Sequence, residues 1–250
     1  MTTLLVDIGN TRAKWAVLSA ARLGRMNTEV HEKRGAAVQA VVRNAPRAVD
    51  RIVAVSVAGT SLERAFTTAA RKRFGVTPEF VRSERKAFGV VNGYRETWRL
   101  GADRWVSAIA AHDLVPKRAV LIANVGTALT IDLVEAGGRH LGGAIVPGPM
   151  LMIDSLLGET HGIRRRAEGG EISDARLFAS NTASGLAAGA FFAAAAFIDR
   201  AIREARATLG VRPVLLLSGG AAGVVQHHLE NQSQIVRDLV LRGLAVIARG

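Results

Sequence analysis

The chain has no cysteine, which excludes disulfides, thiolate metal sites and cysteine nucleophiles. Aromatic side chains make up only 5% of it, with a single tyrosine, Tyr94, and no aromatic-rich stretch of the kind that stacks nucleic-acid bases. Acidic residues are in deficit: 21 Asp and Glu stand against 33 Lys and Arg, a formal charge of +12. The basic residues are spread along the chain, so a solvated Arg-rich surface is expected and a nucleic-acid partner is not. No apolar run reaches the roughly 18 residues of a membrane span. The nearest, Leu186 to Ile198, is mostly alanine and lies between Asn181 and Asp199. The N-terminus enters a strand pattern at once, without the basic segment and apolar core of an export signal, so a cytoplasmic location is expected. The pattern GxxxxGK[ST] is missing too, which argues against a P-loop enzyme.

What is present suits a folded α/β chain. Hydrophobic residues are 49% and charged residues 22% of the 250, enough to bury a real core. Apolar runs at Ile52–Val57, Glu79–Val81, Val120–Ala123, Leu129–Val134, His140–Ile145 and Val214–Gly220 read as strands. Helical patterns cover Val38–Asn44, a stretch capped by Ser61 and stopped by Gly75, Gly101 to the residue before Pro116, and about Thr182–Leu209, stopped by Gly210. Strands and helices alternate throughout. Pro116-Lys117-Arg118 reads as a seam, which predicts an N-terminal half at 1–116 and a C-terminal half at 117–250.

The most informative segment is LLVDIGNTRAKWAVL, Leu4 to Leu18. An apolar run ends in Asp7, turns through Gly9, Asn10 and Thr11, and resumes at Trp15. An acid at a strand end beside a turn of free backbone N–H groups can hold a metal ion and the phosphates it neutralises. Gly9 lets the backbone approach a phosphate, Asn10 and Thr11 offer donors, and Lys14 can reach phosphate oxygens. A weaker echo, LIANVGTALTIDLV, lies 117 residues on (126 − 9), with Gly126 and Thr127 in the turn and Asn124 where Asp7 stood. Two phosphate hairpins facing each other across a cleft suggest a nucleotide enzyme built from two related halves. In GADRW, Asp103 stands at the start of a helix, where the dipole favours an ionised carboxylate able to orient and receive the proton of an attacking hydroxyl. Arg104 beside it suits a substrate carboxylate, which a guanidinium binds in a fork. LSGGAA, Leu217 to Ala222, is a strand entering a glycine turn, either a tight connection or a bare surface for adenine or ribose.

Taken in order, DIGNT, GADRW, NVGTALTID, GGAIVPG, NTASG and LSGGAA resemble the type III pantothenate kinases over nearly the whole chain, from Asp7 to Ala222. The resemblance implies the actin/hexokinase/sugar-kinase fold, two ribonuclease-H-like halves around an ATP cleft. It also implies transfer of the ATP γ-phosphate to the primary hydroxyl of pantothenate, the first step of coenzyme A synthesis. By that likeness Asp7, Gly9, Asn10, Thr11 and Lys14 belong to the first phosphate motif, with Asp7 holding Mg²⁺ directly or through water, and Gly126 and Thr127 belong to the second. Asp103 is the general base. Tyr94, Gly101, Ala102 and Arg104 shape the pantothenate site. Thr182 reaches the substrate from a partner subunit, which implies a homodimer. A monovalent cation, potassium or ammonium, is implied near the second motif.

Two positions depart from the family pattern. Asn124 stands where the second motif usually has Asp, so a full negative charge beside the cation is lost; Asp132, two residues after Thr130, is a possible helper. Thr97 replaces a proline often found three residues after the tyrosine. A regulatory accessory protein of the same fold, or a kinase of another small hydroxy substrate, are the competing functions.

Overall fold

The computed structural model describes residues 1–30, 35–170 and 176–250. In chain order its elements are β1 (Thr2–Ile8), β2 (Arg12–Ser19), β3 (Arg22–Leu23), β4 (Asn27–Val30), α1 (Ala36–Asn44), β5 (Arg51–Ser56), α2 (Thr60–Phe74), β6 (Glu79–Phe80), β7 (Lys86–Ala87), β8 (Val90–Val91) and α3 (Ala102–Leu114). There follow β9 (Val120–Val125), β10 (Ala128–Val134), β11 (His140–Pro147), α4 (Pro149–Glu159), α5 (His161–Ala167), α6 (Thr182–Leu209), β12 (Val214–Ser218), α7 (Ala222–Gln226), β13 (Gln234–Ile235) and α8 (Leu239–Arg249). They form two compact units: Met1–Lys117 with Ala136–His140 and Asp238–Gly250, and Arg118–Glu135 with Leu141–Arg237.

In the first unit the sheet order is β3-β2-β1-β5-β6, with β4 also on β2. Side chains alternate across the strands. Leu4, Val6, Ile8, Ile52 and Ala54 pack against Val38, Val41 and Phe66 of α1 and α2. Leu5, Val53 and Val55 face Val106 of α3 and Leu241 and Leu244 of α8. Because both faces are covered, β1 and β5 read as nearly continuous apolar runs. The second sheet runs β11-β10-β9-β12-β13. Leu121, Ala123, Val125, Leu215 and Leu217 pack against Ala194, Ile198 and Ile202 of α6 and Val225 of α7. The two orders correspond strand for strand: an antiparallel hairpin, then a parallel neighbour on the far side of its first strand. The echo between Gly9 and Gly126 is therefore architectural.

Several details differ from the sequence reading. The C-terminal half does not take all of 117–250, because 136–140 and 238–250 belong with the first unit. Gly138 accepts a hydrogen bond from the Val91 amide (2.9 Å) and approaches so closely that a Cβ on it would lie 2.1 Å from the Gly89 oxygen. Helix α8 buries Leu239, Leu241, Leu244 and Ala245, and a Cβ on Gly243 would lie 2.2 Å from the Val106 oxygen of α3. Helix α2 starts at Thr60 behind Gly59 (φ 89°) with no side-chain cap, so Ser61 is inside it; Gly75 (φ 72°) and Gly210 (φ 70°) stop α2 and α6 in the left-handed region. Helix α6 is long and apolar enough to cross a membrane by length and composition, with a mean hydropathy of 1.5 over its most apolar window. It packs on the second sheet and buries Asp199, as a core helix does.

The α3–α8 contact supplies a test. Gly243→Ala is expected to destabilise the protein by about 1–3 kcal/mol in urea unfolding, since the methyl meets backbone. Gly223→Ala in α7, where no atom lies within 4 Å of the added carbon, should be neutral or slightly stabilising.

Candidate active site

Strand β1 carries Asp7 to its C-terminal end. The Gly9 amide donates to the Arg12 carbonyl (3.0 Å), closing a turn with Asn10 and Thr11 exposed at its tip. Lys14 is the cross-strand neighbour of Asp7. The pleat puts Asp7 on the face of the sheet shared with Leu5, which α3 and α8 cover. Those helices begin with Asp103 in the first turn of α3 and Asp238 at the N-cap of α8, the latter at φ 61°. Burial pushes the Asp7 carboxyl up to about 7; Lys14 opposes this, and the charges of Asp103 and Asp238 add to it. A carboxylate this poorly solvated, beside two others, is short of positive charge. A divalent cation would supply it. Among the described residues no three His, Asp or Glu side chains gather closely enough to cage a metal alone. That suits Mg²⁺, which takes one or two carboxylates and completes its shell with water and phosphate.

At the head of α3, Gly101 is the N-cap and Asp103 Oδ1 accepts from the Arg104 amide (2.8 Å). A Cβ on Gly101 would stand 2.8 Å from that oxygen, so only glycine leaves the carboxylate in place. Ala102, the first helical residue, packs beside the same core as Leu5. Arg104 is 4% exposed; its Nη1 donates to the Tyr94 hydroxyl (3.0 Å), and its guanidinium lies 5.8 Å from the ring centre. A buried guanidinium favours a carboxylate partner. Tyr94 is held by several neighbours. Its amide donates to Asn92 Oδ1 (3.0 Å), and its carbonyl accepts from Arg85 (3.1 Å). The buried ring of His140 lies 5.9 Å away, tilted by 31°. Thr97 opens a 3₁₀ turn whose carbonyl accepts from the buried Asn92 side chain (3.3 Å), which stiffens the loop without the proline. The structure thus brings Asp7, Lys14, Gly9, Asn10, Thr11, Asp103, Arg104, Gly101, Ala102 and Tyr94 into one unit.

Asn124, Gly126, Thr127 and Thr182 belong to the other unit. The Gly126 amide donates to the Ala128 carbonyl (3.0 Å). This turn is one residue tighter than the first: Val125 pairs with Leu129 around 126–128, whereas Ile8 pairs with Ala13 around 9–12. Asn124 pairs with Thr130 on one side and Ser218 on the other, so three oxygen-bearing side chains share one face of the sheet. Asp132, 1% exposed, stands on that face one pleat along. Two glycines hold the turn from behind. Gly148 donates to the Thr127 carbonyl (2.8 Å), and a Cβ on it would lie 2.0 Å from the Gly126 oxygen. Gly219 (φ 97°) closes on Val125, where a Cβ would lie 2.3 Å from the carbonyl oxygen. Close packing accounts for the glycine of LSGG. Thr182 opens α6 beside Asn181, whose side chain caps the helix through the Ser184 amide (2.9 Å).

Sequence reasoning missed Asp238, His140 and the part played by Gly148. Asp238 and His140 are remote in the chain from the groups they affect and carry no motif. Gly148 sits within GGAIVPG, but only the fold shows what it touches.

A family model for the type III pantothenate kinases matches residues 3–204. The type III pantothenate kinase of Nitrosococcus oceani is 34% identical over 253 residues, covering 98% of this chain and 93% of that protein. Among solved structures, a ROK family glucokinase from Streptomyces griseus in complex with glucose and AMPPNP aligns with a TM-score of 0.52 at 13% identity, over 100% of this chain and 99% of the other. An inorganic polyphosphate/ATP-glucomannokinase from Arthrobacter sp. strain KM aligns at 0.51 and 14% identity, over 99% and 98%. These two likenesses speak for the fold, that of actin/hexokinase-like kinases.

The raised Asp7 carboxyl has a thermodynamic signature. Folded, Asp7 keeps its proton to about pH 7; unfolded, it loses it near 3.8. Its contribution to stability therefore falls as pH rises from about 4 to about 7 and stays low above. Without nucleotide or Mg²⁺, Asp7→Asn is expected to be more stable than the natural protein at pH 8, with the gap closing by pH 4. Denaturant titrations at both pH values check this; a variant less stable at pH 8 contradicts it.

Proposed function

The chain belongs to the type III pantothenate kinases, and from that membership we propose which of its residues carry the reaction. It phosphorylates pantothenate at the expense of ATP, giving 4′-phosphopantothenate in coenzyme A biosynthesis. The observation that carries the assignment of roles is the head of α3, where Asp103, whose charge acts on Asp7, stands next to the buried Arg104.

In this reading Asp103 accepts the proton of the pantothenate hydroxyl as that oxygen attacks the γ-phosphorus. Its place in the first turn of α3 suits a carboxylate, and its bond from the Arg104 amide aims it. Arg104 and Tyr94 bind and orient the substrate, the guanidinium through the pantothenate carboxylate. Gly101 and Ala102 keep the helix head slim enough for substrate to approach. The backbone of Gly9, Asn10 and Thr11 and the ammonium of Lys14 position phosphate oxygens, and the family motif gives Gly126 and Thr127 a phosphate-binding role of their own. Asp7 would hold Mg²⁺, directly or through water; when bound, the ion neutralises charge that builds on the phosphates. Asn124, with Thr130 and Ser218 beside it, would hold a monovalent cation, potassium or ammonium, by neutral oxygens.

A homodimer completes this reading, with Thr182 of each copy reaching the other's substrate. Its support is an apolar groove of about 470 Å³ lined by Met152, Leu156, Ile163, Thr182, Gly185 and Gly189, beside exposed Met150 and Leu151. Such a face on a water-soluble enzyme calls for a cover.

Two measurements test these roles. Asp103→Asn is expected to lower kcat by about 10²–10⁴-fold with the fold intact, and Arg104→Ala to act chiefly on KM for pantothenate. Normal turnover in Asp103→Asn would remove it as the base. Turnover is expected to rise with potassium or ammonium over sodium, and Asn124→Asp to lower the potassium concentration needed. Indifference to the cation in both forms contradicts the cation site.

A further inference from the structure

The second unit has a cavity of about 630 Å³ that the reaction does not use. It lies at the opening of β12, lined by Arg118, Arg212, Gln226, Asn231, Gln232 and Ser233 among others. Val214 pairs with Val120, while at the far end of the same strands Ser218 pairs with Asn124. Four residues separate those pairs (218 − 214), so the cavity mouth is about 13 Å along the strand from Asn124 and Ser218 at 3.3 Å per residue, and the turn at 126–128 lies beyond them. Parallel register also explains why two arginines meet there: Arg118 and Arg212 each stand two residues before a paired residue, Val120 and Val214. Like charges brought side by side repel. Neither arginine is ion-paired among the described residues, and no carboxylate lines the cavity.

Arg212 is also not left loose. Arg212 Nη2 donates to Asn231 Oδ1 (2.9 Å), and Asn231 Nδ2 donates to Asp199 Oδ1 (2.7 Å). Asp199 is buried on α6, and its other oxygen accepts from the Glu230 amide (3.0 Å). Gln226 Nε2 is fixed likewise, donating to the Ser233 carbonyl (3.2 Å) and hydroxyl (3.0 Å). A buried carboxylate thus orients an asparagine, which orients a guanidinium facing a polar cavity with a second guanidinium beside it. A surface whose purpose is solvation needs no such relay. The volume lies within the 300–1,000 Å³ typical of small-ligand sites.

We propose that this cavity is a second anion site, which takes the phosphate group of a small phosphorylated molecule between Arg118 and Arg212, apart from the phosphate turns. Two guanidinium forks match the oxygens of a dianion, and the neutral amides and hydroxyl around them supply donors without competing charge.

Inorganic pyrophosphate is the probe, titrated calorimetrically into the full chain already saturated with Mg²⁺ and a non-hydrolysable ATP analogue, so that the phosphate turns are occupied. One equivalent is expected to bind, more weakly as salt rises. Arg118→Ala and Arg212→Ala should each weaken it roughly tenfold or more, and Asn231→Ala by a smaller factor. Acetate, a single carboxylate, should bind at least tenfold more weakly than pyrophosphate. No binding to the saturated protein overturns the site. Unchanged affinity in an Arg118→Ala/Arg212→Ala variant that unfolds at the natural temperature overturns it as well, and acetate binding as tightly as pyrophosphate overturns the phosphate assignment.

Discussion

The structure of the first unit is arranged around one unfavourable fact: the carboxylate of Asp7 is taken out of water and set near two other acids. Left alone, it holds its proton to about pH 7. Everything that makes the arrangement useful comes from the elements that create it. Helix α3 covers the Asp7 face and brings Asp103 at its head; α8 covers it from the other side and brings Asp238. The tight approach of α8 to α3 at Gly243 is the packing that allows both. A folded state that concentrates carboxyl groups is less stable for it once they ionise, and a cation bound there would offset the loss.

The second unit repeats the sheet but relaxes the electrostatics. Its turn is a residue tighter, Asn124 replaces the acid, and neutral oxygens from Thr130 and Ser218 stand alongside. A neutral amide can remain in place with no counter-ion, whereas a carboxylate there would repeat the Asp7 problem. Gly148 and Gly219 are needed for a different reason. They bring two later segments so close to residues 125–127 that a methyl group on either would displace the turn.

Much of this could be read in advance wherever the signal is local. The strand-turn-strand of Asp7 to Lys14 announces itself by alternation and by an Asn-containing glycine turn, and Gly75 and Gly210 stop their helices through their own backbone freedom. Asp103 and Arg104 were legible as a helix head. Signals that depend on distant partners were not legible. Ser61 looks like a cap, yet the chain enters α2 at Gly59, because the path out of β5 decides where the helix begins. His140 has nothing around it in sequence to tie it to Tyr94, which is 46 positions earlier (140 − 94). The Asp199–Asn231–Arg212 relay joins three segments with no pattern in common.

By itself, then, the order of residues determined the periodicities, the turn and stop positions, the two glycine hairpins and the kinase motifs, because each depends on neighbours a few bonds away. Only tertiary structure decided that the last helix returns to the first unit, that Asp7 is desolvated with Asp103 and Asp238 acting on it, that Arg104 is buried under Tyr94, and that two arginines meet at one end of a sheet. Those outcomes depend on burial and close approach between remote segments, which a chain acquires when it packs.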